Sequence, residues 1–445
     1  MSTPNTPGLS TIESLLLAAM DRGDTNLETG RKIITFREGM AEEGIRSLRA
    51  RSINVADARE FRDQAVDEMD VASAEALVFP EIGVALASDE AMAEHGLNDI
   101  AARSADPTIL AIEPEQFVFA SNSEFLRGFS SAVNAIIRDM GQTPAPTPPD
   151  ELPDAEVLGA TWGVVRCKVP PSVYSGAGIK IAVLDTGIDL GHPAFTGRIA
   201  ATATFVGQPV QDLNGHGTHC AGTAAGPKAP AGNIPRYGIG HQARLFIGKV
   251  LTNSGSGTSA SVLGGMNWAI ANRCEVISMS LGGGSTVETA YTSAGAAALR
   301  NGCLIIAAAG NEYGQPTSAP ANSPTIMAVA SLDANLAPSA FSNRGKIEIA
   351  GPGGGVYSAW PRPTLYKTIS GTAWPPLTSP AAPHSGPRPA LACAPRRCGT
   401  GCRPPPRYCP IRWHRSGAGL FRHLDPSPHT VSPVRHHATP LGCRT

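Results

Sequence analysis

Four glycine-containing segments of the chain carry polar side chains that could take part in catalysis. They are Ile181–Asp189 with Asp185, Asn214–Gly222 with His216, Val276–Gly284 with Ser280, and Ile305–Glu312 with Asn311. All but the histidine segment begin with an apolar run typical of a buried parallel strand, and functional residues of parallel sheets collect at strand carboxyl ends. A carboxylate, an imidazole and an amide gathered there could act at a carbonyl group that develops negative charge.

Each segment also has a purely structural interpretation. Asp185 could cap a turn, His216 could be a packed histidine where a helix begins, and Asn311 could be a turn residue in the left-handed conformation. The glycines after Ser280 could form a flexible loop or a strand edge that pairs with an extended peptide. His216 and His219 in a His-x-x-His pattern make a poor zinc site by themselves, so no metal is predicted.

Composition excludes several classes of function. The chain has 445 residues, 36 Lys and Arg against 37 Asp and Glu, and a net charge of −1, so neither a nucleic acid nor a membrane is expected as a partner. The apolar patch Leu15–Met20 is preceded by acidic Glu13 and lacks a basic flank, which predicts a short amphipathic turn rather than a signal peptide. The chain as written is therefore expected in the cytoplasm, and as a monomer.

Changes in composition along the chain predict five segments. Residues 1–30 are polar and expected to be flexible, and 121–157 form a Pro-rich linker that is open to cleavage. Residues 31–120 carry the pattern of a ferredoxin-like α+β unit, in the order βαββαβ: Lys32–Phe36, Met40–Ala50, Ala76–Phe79, Gly83–Leu86, Ser88–His95 and Ile109–Glu113. Residues 158–372 are predicted to be an α/β domain with a mostly parallel sheet, and 373–445 a separate tail.

Taken together, in this order and spacing, the motifs resemble those of the subtilisin-like serine proteases, the subtilases. The matching stretches are Asp185-Thr186-Gly187, His216-Gly217-Thr218-His219, Ser280–Gly283, Ala309-Gly310-Asn311, Ala340–Gly345 and Ala350–Gly353. The histidine motif, continued through Cys220-Ala221-Gly222-Thr223, is most similar to the proteinase K branch. Residues 31–120 resemble the family's propeptide, which serves as intramolecular chaperone and inhibitor.

The resemblance implies a role for each matching residue. Asp185 would orient the imidazole of His216, and His216 would be the general base in peptide-bond hydrolysis through an acyl-enzyme. Asn311, next to Gly310, would supply the oxyanion-hole amide. The segment Ser280-Leu281-Gly282-Gly283 would line the cleft and hold a polypeptide substrate as an added strand. His219 and Cys220 are expected to be structural.

Calcium binding is a family property that this sequence supports poorly. Ala194 in His192-Pro193-Ala194-Phe195 stands where the family has a carboxylate ligand, and the loop Pro227–Tyr237 also departs from the ligand pattern. We therefore expect no cofactor at that position.

The nucleophile motif departs from the family at Ala373. The chain reads Ser370-Gly371-Thr372-Ala373-Trp374-Pro375 where the family has Gly-Thr-Ser-Met-Ala-x-Pro. Alanine cannot attack a carbonyl, so the chain as written is predicted to be inactive. Three explanations are a pseudoprotease that binds peptides or inhibits, a different nucleophile, and a frameshift.

The genetic code favours the frameshift. If Thr372 and Ala373 are read from ACA GCA, the alternative frame through residues 373–383 reads AGC ATG GCC and then translates, with suitable third bases, as Thr-Pro-His-Val-Ala-Gly-Gly-Ala. Pro375 and Pro376 would break the helix that a pseudoprotease would keep. The tail is rich in Pro, Arg, Cys and His; a zinc module using Cys393, Cys398, Cys402, Cys409 and His414 is the rival interpretation, but its spacing matches no paired pattern.

Overall fold

The computed structural model describes residues 11–22, 28–61, 74–97, 106–121 and 159–372. All of these residues belong to one compact unit. Among the helices in these ranges, none is long and apolar enough to cross a membrane.

The described chain begins with helix α1 (Thr11–Asp21) and continues as a small sheet with helices. The elements are β1 (Glu28–Phe36), α2 (Ala41–Ala50), β2 (Val55–Asp57), a 3-10 turn (Ala58–Phe61), β3 (Ala76–Phe79), β4 (Val84–Ser88), α3 (Asp89–Glu94) and β5 (Ile109–Ala120). The strand order is β5-β1-β4-β3-β2, antiparallel except for the parallel pair β2–β3. Without β2, this is the expected ferredoxin-like arrangement.

Residues 159–372 form a second, larger set of elements. They are α4 (Trp162–Arg166), β6 (Lys180–Asp185), a 3-10 turn (Pro193–Phe195), β7 (Ile199–Thr204), α5 (His216–Ala225), β8 (Arg244–Lys249), β9 (Ser256–Thr258), α6 (Ser259–Ala271), β10 (Val276–Met279), β11 (Leu281–Gly282), α7 (Thr289–Arg300), β12 (Leu304–Ala308), β13 (Met327–Leu332), β14 (Ile349–Pro352), β15 (Val356–Ala359) and β16 (Tyr366–Ile369). Seven strands form a parallel sheet in the order β14-β13-β12-β10-β6-β8-β7. The predicted parallel sheet is confirmed.

Alternation along the central strands sorts the core into two layers. Ile181 and Val183 of β6 face α5 and its Ala221, in a cluster with Leu245 and Ile247 of β8. The intervening Ala182 and Leu184 face the other way, into a larger cluster that includes residues of α6 and α7. Because helices cover both faces, the strands are apolar throughout, as parallel strands must be when neither face meets water.

The N-terminal sheet shares that larger cluster. Ile33, Leu77, Phe79 and Val84 pack with the residues of α6 and α7. The opposite face of the same sheet packs against α2 and α3, through Ile34, Val78 and Ala85 among others. The N-terminal sheet is therefore covered on both faces, by its own helices and by those of the larger domain.

The structure differs from the sequence expectations in three places. The N-terminus expected to be flexible over 1–30 contains α1, whose apolar side is buried. The closing strand predicted at Ile109–Glu113 continues to Ala120, because its second half pairs with strands of the larger domain. Strand β2 was not predicted, and within the described ranges it pairs with β3 alone. The other segment boundaries remain predictions.

Candidate active site

Asp185 and His216 meet at the carboxyl end of the central sheet. Asp185 is the last residue of β6 and His216 the first of α5, and both are buried. The Nδ1 atom of His216 lies 2.8 Å from Oδ1 of Asp185. The same carboxylate oxygen accepts a hydrogen bond of 2.7 Å from the Thr186 amide. An imidazole held in this way through Nδ1 can take up a proton at Nε2.

Asp212, which the sequence analysis overlooked, organises the start of α5. Its Oδ1 accepts hydrogen bonds from the Asn214 and Gly215 amides, at 3.0 and 2.8 Å. Its Oδ2 accepts from the amide and the hydroxyl of Thr218, at 2.9 and 2.6 Å. The Thr186 hydroxyl also donates to Oδ1, at 3.0 Å. An acceptor that precedes a glycine-rich helix start by three or four residues is the signal that could have found it.

The surrounding charges set the protonation of His216. Burial by itself would lower the pKa of His216, but the charge of Asp185, the hydrogen bond with it and the charge of Asp212 outweigh burial, and the pKa is raised. Lys249, also buried, donates to the carbonyl of Thr186 and, at 2.8 Å, to Asn253. Burial lowers the pKa of Lys249 to about 8, despite the opposing charges of Asp212 and Asp185.

His219 and Cys220 lie on the same helix but have different surroundings. His219 Nε2 lies 3.0 Å from the carbonyl oxygens of both Val356 and Lys367, so the ring ties α5 to β15 and β16. Burial and the proximity of His216 lower the pKa of His219 to about 3. The Cys220 thiol donates to Asp185 Oδ2 at 3.3 Å. Burial and the Asp185 charge hold the pKa of Cys220 well above its usual range, so the thiol stays protonated.

Asn311 forms hydrogen bonds with the last described residues of two segments, Ser121 and Thr372. Its Oδ1 accepts a hydrogen bond of 2.9 Å from the Thr372 amide. Its Nδ2 donates to the carbonyl oxygen of Ser121, the residue that follows β5. The Thr372 hydroxyl accepts from the Gly310 amide at 3.2 Å. The side-chain amide thus points at a peptide carbonyl of the chain's own N-terminal segment.

The last residues of β5, 117–120, run as an extended strand between β9 and β11. On one side Phe117, Val118 and Phe119 pair antiparallel with β9. On the other side Phe119 and Ala120 pair antiparallel with β11.

This strand continues to the segment that the sequence predicts as cleft lining. The Ser121 amide donates to the Ser280 carbonyl at 3.0 Å. Gly283 lies beside the same strand, and a Cβ there would be 2.8 Å from the Phe117 carbonyl oxygen. We call the space between β9 and β11 the groove. One edge of it is formed by the predicted cleft-lining residues, Ser280, Leu281, Gly282 and Gly283. The second edge, β9, was not predicted, because Ser256-Gly257-Thr258 has no apolar pattern.

Two hydroxyl groups lie just before residue 373. The Ser370 hydroxyl accepts a hydrogen bond from the Gly355 amide at 2.9 Å. The Thr372 hydroxyl accepts one from the Gly310 amide. Ala373, which stands at the expected nucleophile position, is outside the described residues. The described part of this segment thus ends at Thr372, one residue before the expected nucleophile position.

Comparison with known proteins identifies the class of this site. The sequence profile of the subtilase family matches residues 176–386. Thermitase from Thermoactinomyces vulgaris is 36% identical over 228 residues, which is 50% of this chain and 78% of thermitase. Subtilisin Savinase from Lederbergia lenta is 39% identical over 229 residues, 50% of this chain and 80% of the relative. The chain belongs to the subtilase family of serine peptidases.

Other relatives are covered less completely. A cuticle-degrading serine protease from Arthrobotrys oligospora is 38% identical over 251 residues, 52% of this chain but 58% of the relative. An alkaline protease from Shouchella clausii is 39% identical over 241 residues, 52% of this chain and 60% of the relative. The chain thus spans about three fifths of the length of these two relatives.

Proposed function

We propose that this chain is a subtilase precursor that carries the substrate-binding and proton-transfer parts of a serine endopeptidase but lacks its nucleophile. The observation that carries the proposal is the hydrogen bond from Asn311 Nδ2 to the Ser121 carbonyl oxygen. That carbonyl belongs to a strand bound between β9 and β11, in the manner of an extended peptide substrate. With the Asp185–His216 pair at 2.8 Å, only an attacking group is missing.

In the complete enzyme, His216 would take the proton of the serine hydroxyl and later give it to the leaving amine. Asp185 would hold the imidazole through Nδ1 and stabilise its charged form, and Asn311 would donate to the oxyanion of the tetrahedral intermediate. Neither Ser370 nor Thr372 replaces the serine in this proposal, since the nucleophile position of the family motif is that of Ala373. Cys220 is excluded as nucleophile by its buried, protonated thiol.

The N-terminal unit, which comprises β1 to β5 and their helices, acts in this proposal as an intramolecular inhibitor. Its strand β5 carries two carboxylates that meet helix N-termini of the larger domain. Glu113 accepts from the Thr289 amide, at 2.9 Å, where α7 begins. Glu115 accepts from the Ala260 amide, at 3.1 Å, near the start of α6. Carboxylates are favourable at helix N-termini, where amides lack partners within the helix.

Processing of a complete enzyme would cut the bond between Ser121 and Asn122. The Ser121 carbonyl is the one bonded to Asn311, and residues 117–121 fill the groove that leads to it. The cut would then fall at one bond, at the start of the linker expected over 121–157.

We also propose that the family's calcium site near Ala194 is not built in this chain. The Ala194 methyl offers no oxygen ligand, and its amide donates to His192 Nδ1 at 3.1 Å. The nearby carboxylate of Asp189 is engaged by the Arg362 guanidinium at 2.9 Å. The residues described in this loop therefore do not fit a calcium ion.

A non-catalytic peptide-binding or inhibitory protein is the second candidate, because the described residues of β9 and β11 hold a strand in the groove. A fluorophosphonate probe on the purified chain tests inactivity: no label is expected, and label within residues 370–380 would overturn it. The DNA around codons 372 and 373 separates the explanations. An intact frame in independent isolates favours the pseudoprotease, whereas one additional base there restores Gly-Thr-Ser-Met.

A further inference from the structure

Helix α1 has one buried and one exposed side. Ile12, Leu16 and Ala19 are exposed by only 2%, 6% and 0%, whereas Leu17 and Met20 are exposed by 47% and 48%. The buried residues follow helical spacing and form one stripe. Such a stripe indicates that α1 binds a specific surface, although it lies before the unit that resembles the family propeptide.

The surface beneath α1 is made of two parts of the chain. Ile12, Leu16 and Ala19 pack in one cluster with Phe117 and Phe119 of β5 and with Val206 of the larger domain. In addition, the Ser254 hydroxyl donates to the Glu13 carboxylate at 2.8 Å. Helix α1 thus contacts both the strand in the groove and the rim of the groove.

The alternation of β5 explains why this cover is needed. Val118 and Ala120 point into the main core cluster with α6, so Phe117 and Phe119 point to the opposite side. They are exposed by only 2% and 6%, and the cluster that buries them is the one α1 completes. If these two phenylalanines were exposed, a large apolar surface would be left in water, which is unfavourable for the folded state.

We propose that residues 11–21 are a second inhibitory segment, which closes over the outer face of residues 117–121 and must detach before this strand can leave the groove. The inference rests on the proposed function, namely that residues 117–121 occupy the substrate groove. Strand and helix then hold each other: the groove binds one face of the strand, and α1 covers the other. Release of the N-terminal unit would begin with α1.

Hydrogen exchange of the full chain, followed by mass spectrometry, tests this. Leu16→Asp places a charge in the buried stripe, and Leu17→Asp places the same charge on the exposed side as the matched control. We expect amides of residues 117–121 to exchange at least about tenfold faster in L16D, because local opening no longer requires the removal of a packed helix, and to be unchanged in L17D. Leu16→Ala, a milder change, should give a smaller increase in the same peptide.

The outcomes separate the two proposals. Unchanged protection of 117–121 in both L16D and L16A would overturn the inference while leaving the groove assignment intact. If residues 117–121 exchange freely in the unaltered chain while β6 and β8 stay protected, the groove assignment itself fails. If L16D also loses protection in β6 and β8, the comparison rests on L16A, where equal exchange at 117–121 contradicts the role of α1.

Discussion

The carbonyl oxygen of Ser121 accepts a hydrogen bond from the side-chain amide of Asn311, which lies 190 positions later in the sequence. This contact joins the residue after β5 to the carboxyl edge of the parallel sheet, where Asp185 and His216 also lie. In the proposed function, residues 117–121 occupy the groove as an extended peptide would.

The raised pKa of His216 depends on Asp185. Asp185→Asn removes the negative charge but leaves the imidazole buried, so we expect the pKa of His216 to fall below its ordinary value of 6.5. Nuclear magnetic resonance of the imidazole during a pH titration measures this in the chain as it stands. Glu90→Gln, an exposed carboxylate on α3, is the control that should leave the titration unchanged. A pKa for D185N equal to that of the unaltered chain would contradict the electrostatic account.

Asp212 should be important for stability because its buried carboxylate accepts hydrogen bonds from several donors. Asp212→Asn replaces one oxygen by an NH₂ group that faces those donors, and we expect a loss of about 1–3 kcal/mol in the free energy of unfolding. Denaturant unfolding provides the measurement. Asp333→Asn is the matched control, since that side chain accepts from the Asn335 and Ala337 amides in an exposed turn. Equal effects of the two substitutions would refute the special role of Asp212.

Glu288 should make stability depend on pH. Burial raises the pKa of Glu288 to about 8, with further contributions from Glu113 and Glu115 that a hydrogen bond from Ser259 opposes. The unfolded chain releases this proton near the ordinary value of 4.5, whereas the folded chain keeps it to about 8. The folded state therefore binds more protons in this window, and stability falls as pH rises through it, by at most about 1.4 kcal/mol per pH unit.

Unfolding measurements across this pH range, compared between the unaltered chain and Glu288→Gln, check the sign. The substitution should remove the slope, whereas Glu90→Gln should keep it. A stability that rises between pH 4.5 and 8 specifically through Glu288 would show that the carboxyl is ionised in the folded chain.

Gly283 should be needed for the close approach of β5 to the backbone at this position. Gly283→Ala would place a Cβ 2.8 Å from the Phe117 carbonyl oxygen, whereas a Cβ at Gly284 meets no atom within 4 Å. We expect faster hydrogen exchange of residues 117–121 in G283A and no change in G284A. Protection that is the same in both variants would mean that the strand does not pack against this backbone.

The sequence predicts the parts of the site that depend on local pattern. Asp185 follows an apolar run and His216 opens a small-residue helix, so their positions at strand and helix ends were accessible from spacing. The pairing of Ser121 with Asn311, the strand β9 and the packing of α1 were not, because each depends on contacts between distant parts of the chain. Ser256-Gly257-Thr258 has no strand pattern of its own and is extended because β5 pairs with it. Arg362, which binds Asp189, likewise lies 173 positions from its partner.

In the proposed function, this groove is a subtilase active centre, and the codon for its serine lies one base out of the reading frame. The most direct test is expression of the gene with one base added at codons 372–373, followed by intact-mass analysis beside the chain as written. We predict that the restored chain cuts itself between Ser121 and Asn122, and that the chain as written remains whole. A restored chain that stays uncut, or that is cut at a bond away from Ser121, would contradict the account.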